Sequence, residues 1–188
     1  MSQRLPVDRQ RIVEFLRRLG ERYRGQGRVW LVGGTTVVFE GYRSQTLDVD
    51  LTYETDPADE ARFLQTVREL KDALSINVEQ VSPADFIPLP SGWRDRSQFV
   101  GRFGGVEVFH FDLYSTTLSK IERGSEQDFA DALALLRAGQ IEWARLESYY
   151  DEILPQFGAR SLKQDPEEFQ EKFNALRQMW RSQNQGEP

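Results

Sequence analysis

Between Val29 and Tyr53 the chain reads VWLVGGTTVVFEGYRSQTLDVDLTY, and an opening of this kind is hard to place anywhere but in a buried strand. Val, Trp and Leu crowd together and then stop at Gly33-Gly34, as a strand does when it runs into a turn. Thr35 and Thr36 put hydroxyls at the start of a short helix over Thr35 to Glu40, with Gly41 as its stop. A turn of that shape offers backbone N–H groups and the positive end of a helix, which attract phosphate. Asp48-Val49-Asp50 follows on the next strand. Side chains alternate along a strand, so Asp48 and Asp50 share one face while Val49 and Leu51 enter the core. Two carboxylates about 7 Å apart on one strand face suit an oxygen-seeking divalent cation.

The 188 residues suit one domain with a helical extension, enough to bury a core without staples. With no cysteine, disulfides and thiolate metal sites are excluded. No stretch approaches the ~20 apolar residues of a membrane span, and no apolar leader is evident, so a soluble, cytoplasmic chain with no membrane partner is expected. The net charge of −6 excludes a chain that is basic throughout. Even so, the first 28 residues hold eight arginines against Asp8, Glu14 and Glu21. Such a local basic surface could attract RNA or another polyanion, or be a solvated helix face.

Elsewhere the pattern alternates between helix and strand. Residues 7–24 read as an amphipathic helix burying Ile12, Leu16, Leu19 and Tyr23. Asp56-Pro57 reads as the capped start of a helix ending at Leu74, and Ile76 to Val81 as a strand. Residues 82–96, rich in Pro, Gly and charge, read as a loop. Gln98 to Asp112 reads as a hairpin around Gly104-Gly105, with Val106, Val108, His110 and Asp112 on one face of its second strand. Helices follow from Ser115, from the cap Ser125, over Ile141 to Leu154, and over Pro166 to Arg181. His110, the only histidine, reads as structural.

The order strand, Gly-Gly-Thr, short helix, Asp-x-Asp resembles the nucleotidyltransferase superfamily with its DNA polymerase beta-like fold. Thirteen residues lie between Gly34 and Asp48, within the spacing of that family. Gly41-Tyr42-Arg43-Ser44-Gln45-Thr46 is similar to the Gly-Tyr-Arg-x-Thr segment of the AbiEii-type toxin-like branch. Lys120, Arg123, Asp128 and Asp131 are similar to its downstream Lys, Arg and Asp-x-x-Asp segment.

The resemblance implies an α+β fold, a mixed β-sheet flanked by helices over residues 1–138; the helices read beyond it form a helical extension over 139–182, and residues 183–188 read as a disordered tail. The resemblance also implies Mg²⁺ on Asp48 and Asp50, and an NTP held by Gly33, Gly34, Thr35, Arg43 and Lys120. A nucleoside monophosphate would pass to a hydroxyl acceptor on RNA, a protein or a small molecule, and a toxin-like chain could have an antitoxin partner. The third acidic group is open between Asp112, Glu107 and Asp128, with Asp112 the candidate third metal ligand and Asp131 the neighbour of Asp128. Thr35 stands where many members carry serine. A non-catalytic nucleotide-binding or toxin–antitoxin module on the same fold is the alternative.

Overall fold

The structure, a computed structural model, describes residues 5–158 and 165–184. Two compact units emerge: one runs to Ser82 and adds Ser97–Phe111, and the other takes Pro83–Arg96 and the chain from Asp112 on.

In the first unit, strands β1 (Gly27–Leu31), β2 (Asp48–Thr55), β3 (Asn77–Gln80), β4 (Gln98–Phe103) and β5 (Val106–His110) form one sheet in the order β3-β2-β1-β5-β4. It is a mixed sheet. Strand β1 runs antiparallel to β2 and parallel to β5, β2 is parallel to β3, and β4 is antiparallel to β5. One face carries Val29, Leu31, Val49, Leu51, Val106 and Val108 into the core. Helices α1 (Arg9–Arg22) and α3 (Glu60–Leu74) bring Ile12, Phe15, Leu16, Leu19, Phe63 and Leu70 to the same core. Helix α2 (Gly33–Phe39) leaves β1 directly. The expected α+β class is therefore what the chain forms.

Several boundaries move for identifiable reasons. Helix α1 starts at Arg9 because the Asp8 carboxylate accepts from Arg11 N–H at 2.9 Å. Asp56 does not cap α3. Its Oδ1 accepts from Ala58 N–H at 2.9 Å in a preceding turn, and the helix begins only after Asp59. Strand β3 is shorter than Ile76 to Val81, since Ser75 takes a left-handed conformation (φ 51°) that closes α3. The Gly104-Gly105 hairpin forms as expected, with Phe103 opposite Val106 and an irregularity between Phe99 and Gly101.

Helix α1 lies very close to that hairpin turn. A Cβ on Gly20 would overlap the backbone carbonyl of Phe103. Helix propensity favours alanine over glycine by about 1 kcal/mol, but a backbone neighbour cannot rotate away. Gly20→Ala should therefore lower stability by about 1–3 kcal/mol in denaturant unfolding, as overpacking does. A gain in stability would show that α1 slides freely over the turn.

The second unit is helical: α4 (Trp93–Arg96), α5 (Leu113–Arg123), α6 (Glu126–Arg137), α7 (Trp143–Ile153) and α8 (Pro166–Asn184). Its aromatic core stacks Tyr150 on Phe173 and Phe157 on Phe169. Leu146, Tyr150, Phe169, Phe173 and Leu176 are buried, as the helical spacing predicts. The segment read as a loop contains one 3₁₀ turn at Pro83–Asp85 and the single turn of α4. Arg96 anchors it by hydrogen bonding to Ser91 O and pairing with Asp112. Gln183 and Asn184 continue α8, so the expected tail begins no earlier than residue 185, and residues 185–188 lie outside the described residues.

Candidate functional site

Strand β1 hands the chain to α2 through Gly33-Gly34, and both glycines are needed for close approach. Gly33 has φ 59°, and a Cβ there would lie 3.0 Å from Asp50 Oδ2. A Cβ on Gly34 would collide with the Arg43 guanidinium and sit 2.8 Å from Thr46 Oγ1. The turn therefore presses bare backbone against Asp50 on one side and against Arg43 on the other.

The helix begins at Gly33 rather than Thr35, and no side chain caps it. The hydroxyls instead rivet it to the sheet. Thr35 Oγ1 accepts from Asp50 N–H at 2.7 Å and donates to Asp48 O at 3.4 Å, while Thr36 Oγ1 donates to Leu31 O at 3.0 Å. Val32 N–H donates to Asp50 O at 3.0 Å. Thr35 is fully buried, so its hydroxyl fixes the turn against the Asp48-x-Asp50 strand.

Asp48 and Asp50 are half-buried and lie on the sheet face opposite Val49 and Leu51, as alternation requires. Parallel pairing sets Asn77 beside Asp48 and Glu79 beside Asp50. The Asn77 amide donates to Asp48 Oδ1 at 2.6 Å and to Glu79 Oε1 at 2.9 Å. Sequence reasoning missed both β3 residues. Their alternation about Val78 was visible, but the parallel register that brings them to Asp48 and Asp50 was not.

Two carboxylates, in a chain without cysteine, make a hard, all-oxygen donor set. Among the described residues, no group of three or more His, Cys, Asp or Glu side chains could hold an ion. Mg²⁺ is commonly bound by one or two carboxylates, with waters and substrate phosphates completing the shell, so the two carboxylates fit such a cation.

The other expected site residues lie on other elements. Asp112 does not continue β5, which ends at His110. It caps α5, accepting from Tyr114 and Ser115 N–H, and takes a two-pronged pair from Arg96 at 3.0 and 2.9 Å. Its place at the start of α5 is the helix-cap geometry that its position before Ser115 allows. Glu107 faces away from Val106 and Val108, between Arg28 and Arg102. Hydrogen bonding from Arg102 holds its carboxyl below the usual range.

Lys120 is 2% exposed and reaches Asp131 at 2.7 Å and Asp128 at 3.3 Å, joining α5 to α6. Burial pushes the Asp128 carboxyl up, but hydrogen bonds from Arg123 and Ser125 and the Lys120 charge outweigh it and hold the group below its usual value. Gly33, Gly34, Thr35, Arg43, Asp48 and Asp50 thus gather in the first unit, whereas Asp112, Lys120 and Asp128 belong to the second.

His110 is buried with Nε2 2.7 Å from Glu40 Oε1, and burial pushes its pKa down against the pull of that carboxylate. This fits the structural role read from its place on the strand. The arginines of α1 are partly spent on their own helix, since Arg17 pairs with Glu14 and Glu21, and Arg18 with Glu14. Among the described residues no helix is long and apolar enough to cross a membrane.

No curated protein and no solved structure matches the chain. Residues 10–180 match the family described as "Nucleotidyltransferase of unknown function (DUF6036)". That span takes in the glycine turn, the Asp48-x-Asp50 strand and both units, and the chain belongs to this nucleotidyltransferase family.

Proposed function

We infer that the protein is a Mg²⁺-dependent nucleotidyltransferase that moves a nucleoside monophosphate from an NTP to a hydroxyl acceptor, with release of pyrophosphate. The observation that carries this reading is the bare Gly33-Gly34 turn riveted by Thr35 against Asp48 and Asp50. The acceptor oxygen loses its proton to solvent and forms a new bond to the α-phosphorus as the bond to pyrophosphate breaks.

Asp48 and Asp50 would hold Mg²⁺, which supplies Lewis-acid charge neutralisation on phosphate oxygens and acidifies a hydroxyl. The glycine backbone lets a phosphate approach where a Cβ would block it. Arg43, packed against Gly34, offers a guanidinium fork for phosphate oxygens. The candidate third acids, Asp112, Glu107 and Asp128, are each held by an arginine (Arg96, Arg102 and Arg123). Glu107 and Asp128, held below the usual carboxylate range, are poor bases, which favours charge balance over proton abstraction as their contribution.

A cytoplasmic role drawing on the NTP pool follows from the reaction. RNA is the favoured acceptor over a protein hydroxyl because of the arginines near the N-terminus, and an antitoxin partner belongs to the toxin-like version. The alternative, a module that binds nucleotide without transferring it, draws support from the lack of a three-carboxylate group among the described residues.

Calorimetry with each of the four NTPs, in Mg²⁺ and again with the ion chelated, tests the reading. At least one NTP should bind in Mg²⁺, and chelation should weaken binding about tenfold or more, since Asp48 and Asp50 would hold the ion that neutralises the phosphates. Labelled NTP then separates transfer from mere binding. Absence of binding by all four to folded protein overturns the proposal.

A further inference from the structure

We propose that Asn77 is the positioning residue for Asp48 in the cation site, an inference that rests on reading Asp48 and Asp50 as cation ligands. Three observations support it. Parallel pairing of β2 and β3 sets Asn77 directly beside Asp48 and Glu79 beside Asp50. The Asn77 amide donates from one nitrogen to two carboxylates, Asp48 Oδ1 at 2.6 Å and Glu79 Oε1 at 2.9 Å. The strand that presents it is pinned on both sides, with Ile76 fully buried before it and Val78 buried after it. Lys71 Nζ donates to Val78 O at 3.0 Å, and Ile76 N–H donates to Lys71 O at 3.1 Å.

The chemistry of the residue matters as much as its place. A carboxylate that accepts a hydrogen bond at one oxygen loses rotational freedom about its last bond, so its direction is set before a cation arrives. Lysine or arginine beside Asp48 would orient it too, but would neutralise it and repel a divalent ion. Aspartate would add a third negative charge to those of Asp48 and Glu79. An uncharged amide donor orients Asp48 while leaving its full charge for the cation, as outer partners of metal-binding carboxylates do. The amide also stands between Asp48 and Glu79, which softens their repulsion while the site is empty of substrate.

Asn77 therefore acts through Asp48 and needs no contact with substrate. Its loss should show in cation affinity before it shows in the fold. The side chain lies on the sheet face opposite the apolar core, so a change there leaves that packing intact.

The test is Mn²⁺ uptake by the full chain without nucleotide, followed by the electron paramagnetic resonance of the free ion. Wild type is compared with Asn77→Leu, which keeps the branching and the number of heavy atoms and removes the donor, and with Asp48→Ala/Asp50→Ala. Asn77→Leu should bind Mn²⁺ about tenfold or more weakly, the usual cost of removing such a partner, with its denaturant midpoint close to that of wild type. Asn77→Ser, polar but too short to reach Asp48, should weaken binding alike, and it replaces Asn77→Leu if that variant does not fold.

Wild-type affinity in the Asn77 variants, together with loss in Asp48→Ala/Asp50→Ala, overturns the positioning role and leaves the cation site standing. Undiminished binding in Asp48→Ala/Asp50→Ala, or no uptake by wild type at millimolar ion, overturns the cation reading and the proposal with it.

Discussion

Lys120→Met is expected to destabilise the folded protein by about 3–5 kcal/mol, the usual cost of removing one partner from a buried ion pair. The ammonium is 2% exposed and closes on Asp131 and Asp128, whose side chains are 3% and 6% exposed. Methionine matches the length of the stem but leaves both carboxylates without their shared cation. Asp128 keeps Arg123 and the Ser125 hydroxyl, and Asp131 keeps Gln127, which donates at 2.9 Å. The larger burden therefore falls on Asp131, which loses its 2.7 Å charge-assisted contact.

Adding Asp131→Asn to Lys120→Met should recover part of the loss, because it removes the buried charge that lost its ammonium rather than a packing group. The same cluster ties stability to acid. Asp128 has a depressed folded pKa, so its contribution is present above the unfolded carboxylate value near 4 and fades as pH falls through the folded one. Urea unfolding at pH 7 checks the main expectation. A loss below about 1 kcal/mol, the range of exposed pairs, would mean that the ammonium is not held where the structure puts it. Lys120 would then be available for the phosphate role implied by its resemblance to the toxin-like branch.

That buried cluster also marks where sequence reading stops. The spacing of Lys120, Asp128 and Asp131 was plain, yet nothing local distinguished a solvated charged face from a clasp between α5 and α6. Burial decides it, and burial is a property of packing. The glycine turn and the Asp48-x-Asp50 strand were legible because they depend on local rules: alternation in the strand and the absence of a Cβ in the turn. The hairpin was legible for the same reason, with Gly104-Gly105 between two alternating runs.

Parallel pairing was not legible. The β2–β3 and β1–β5 registers join segments that no turn fixes, so Asn77 and Glu79 beside the carboxylates had no local signal. Asp112 followed the period-two pattern of β5 and was assigned a strand face by it, but β5 ends two residues earlier. Phe111 N–H donates to Leu31 O at 3.0 Å, and the next carboxylate turns to cap α5.

The largest functional effect belongs to Asp48→Ala/Asp50→Ala. This variant should lose Mg²⁺-dependent NTP binding and lower any transfer rate by about 10³-fold or more, since metal stabilisation of developing charge is worth several kcal/mol and each 1.36 kcal/mol is about tenfold. The fold should survive. Both side chains are half-buried on the face opposite Val49 and Leu51, so alanine opens no cavity in the apolar core. The bond from Asp50 N–H to Thr35 Oγ1 uses backbone, so the rivet between turn and strand persists in the variant.

A structural role for the carboxylates predicts something different: lowered unfolding midpoints in step with lowered binding. The decisive measurement pairs calorimetry with denaturant unfolding on the same preparations. Lost binding at an unchanged midpoint ties function to the two carboxylates. Retained Mg²⁺-dependent binding would move the cation elsewhere in the chain and leave Asp48 and Asp50 as surface charge.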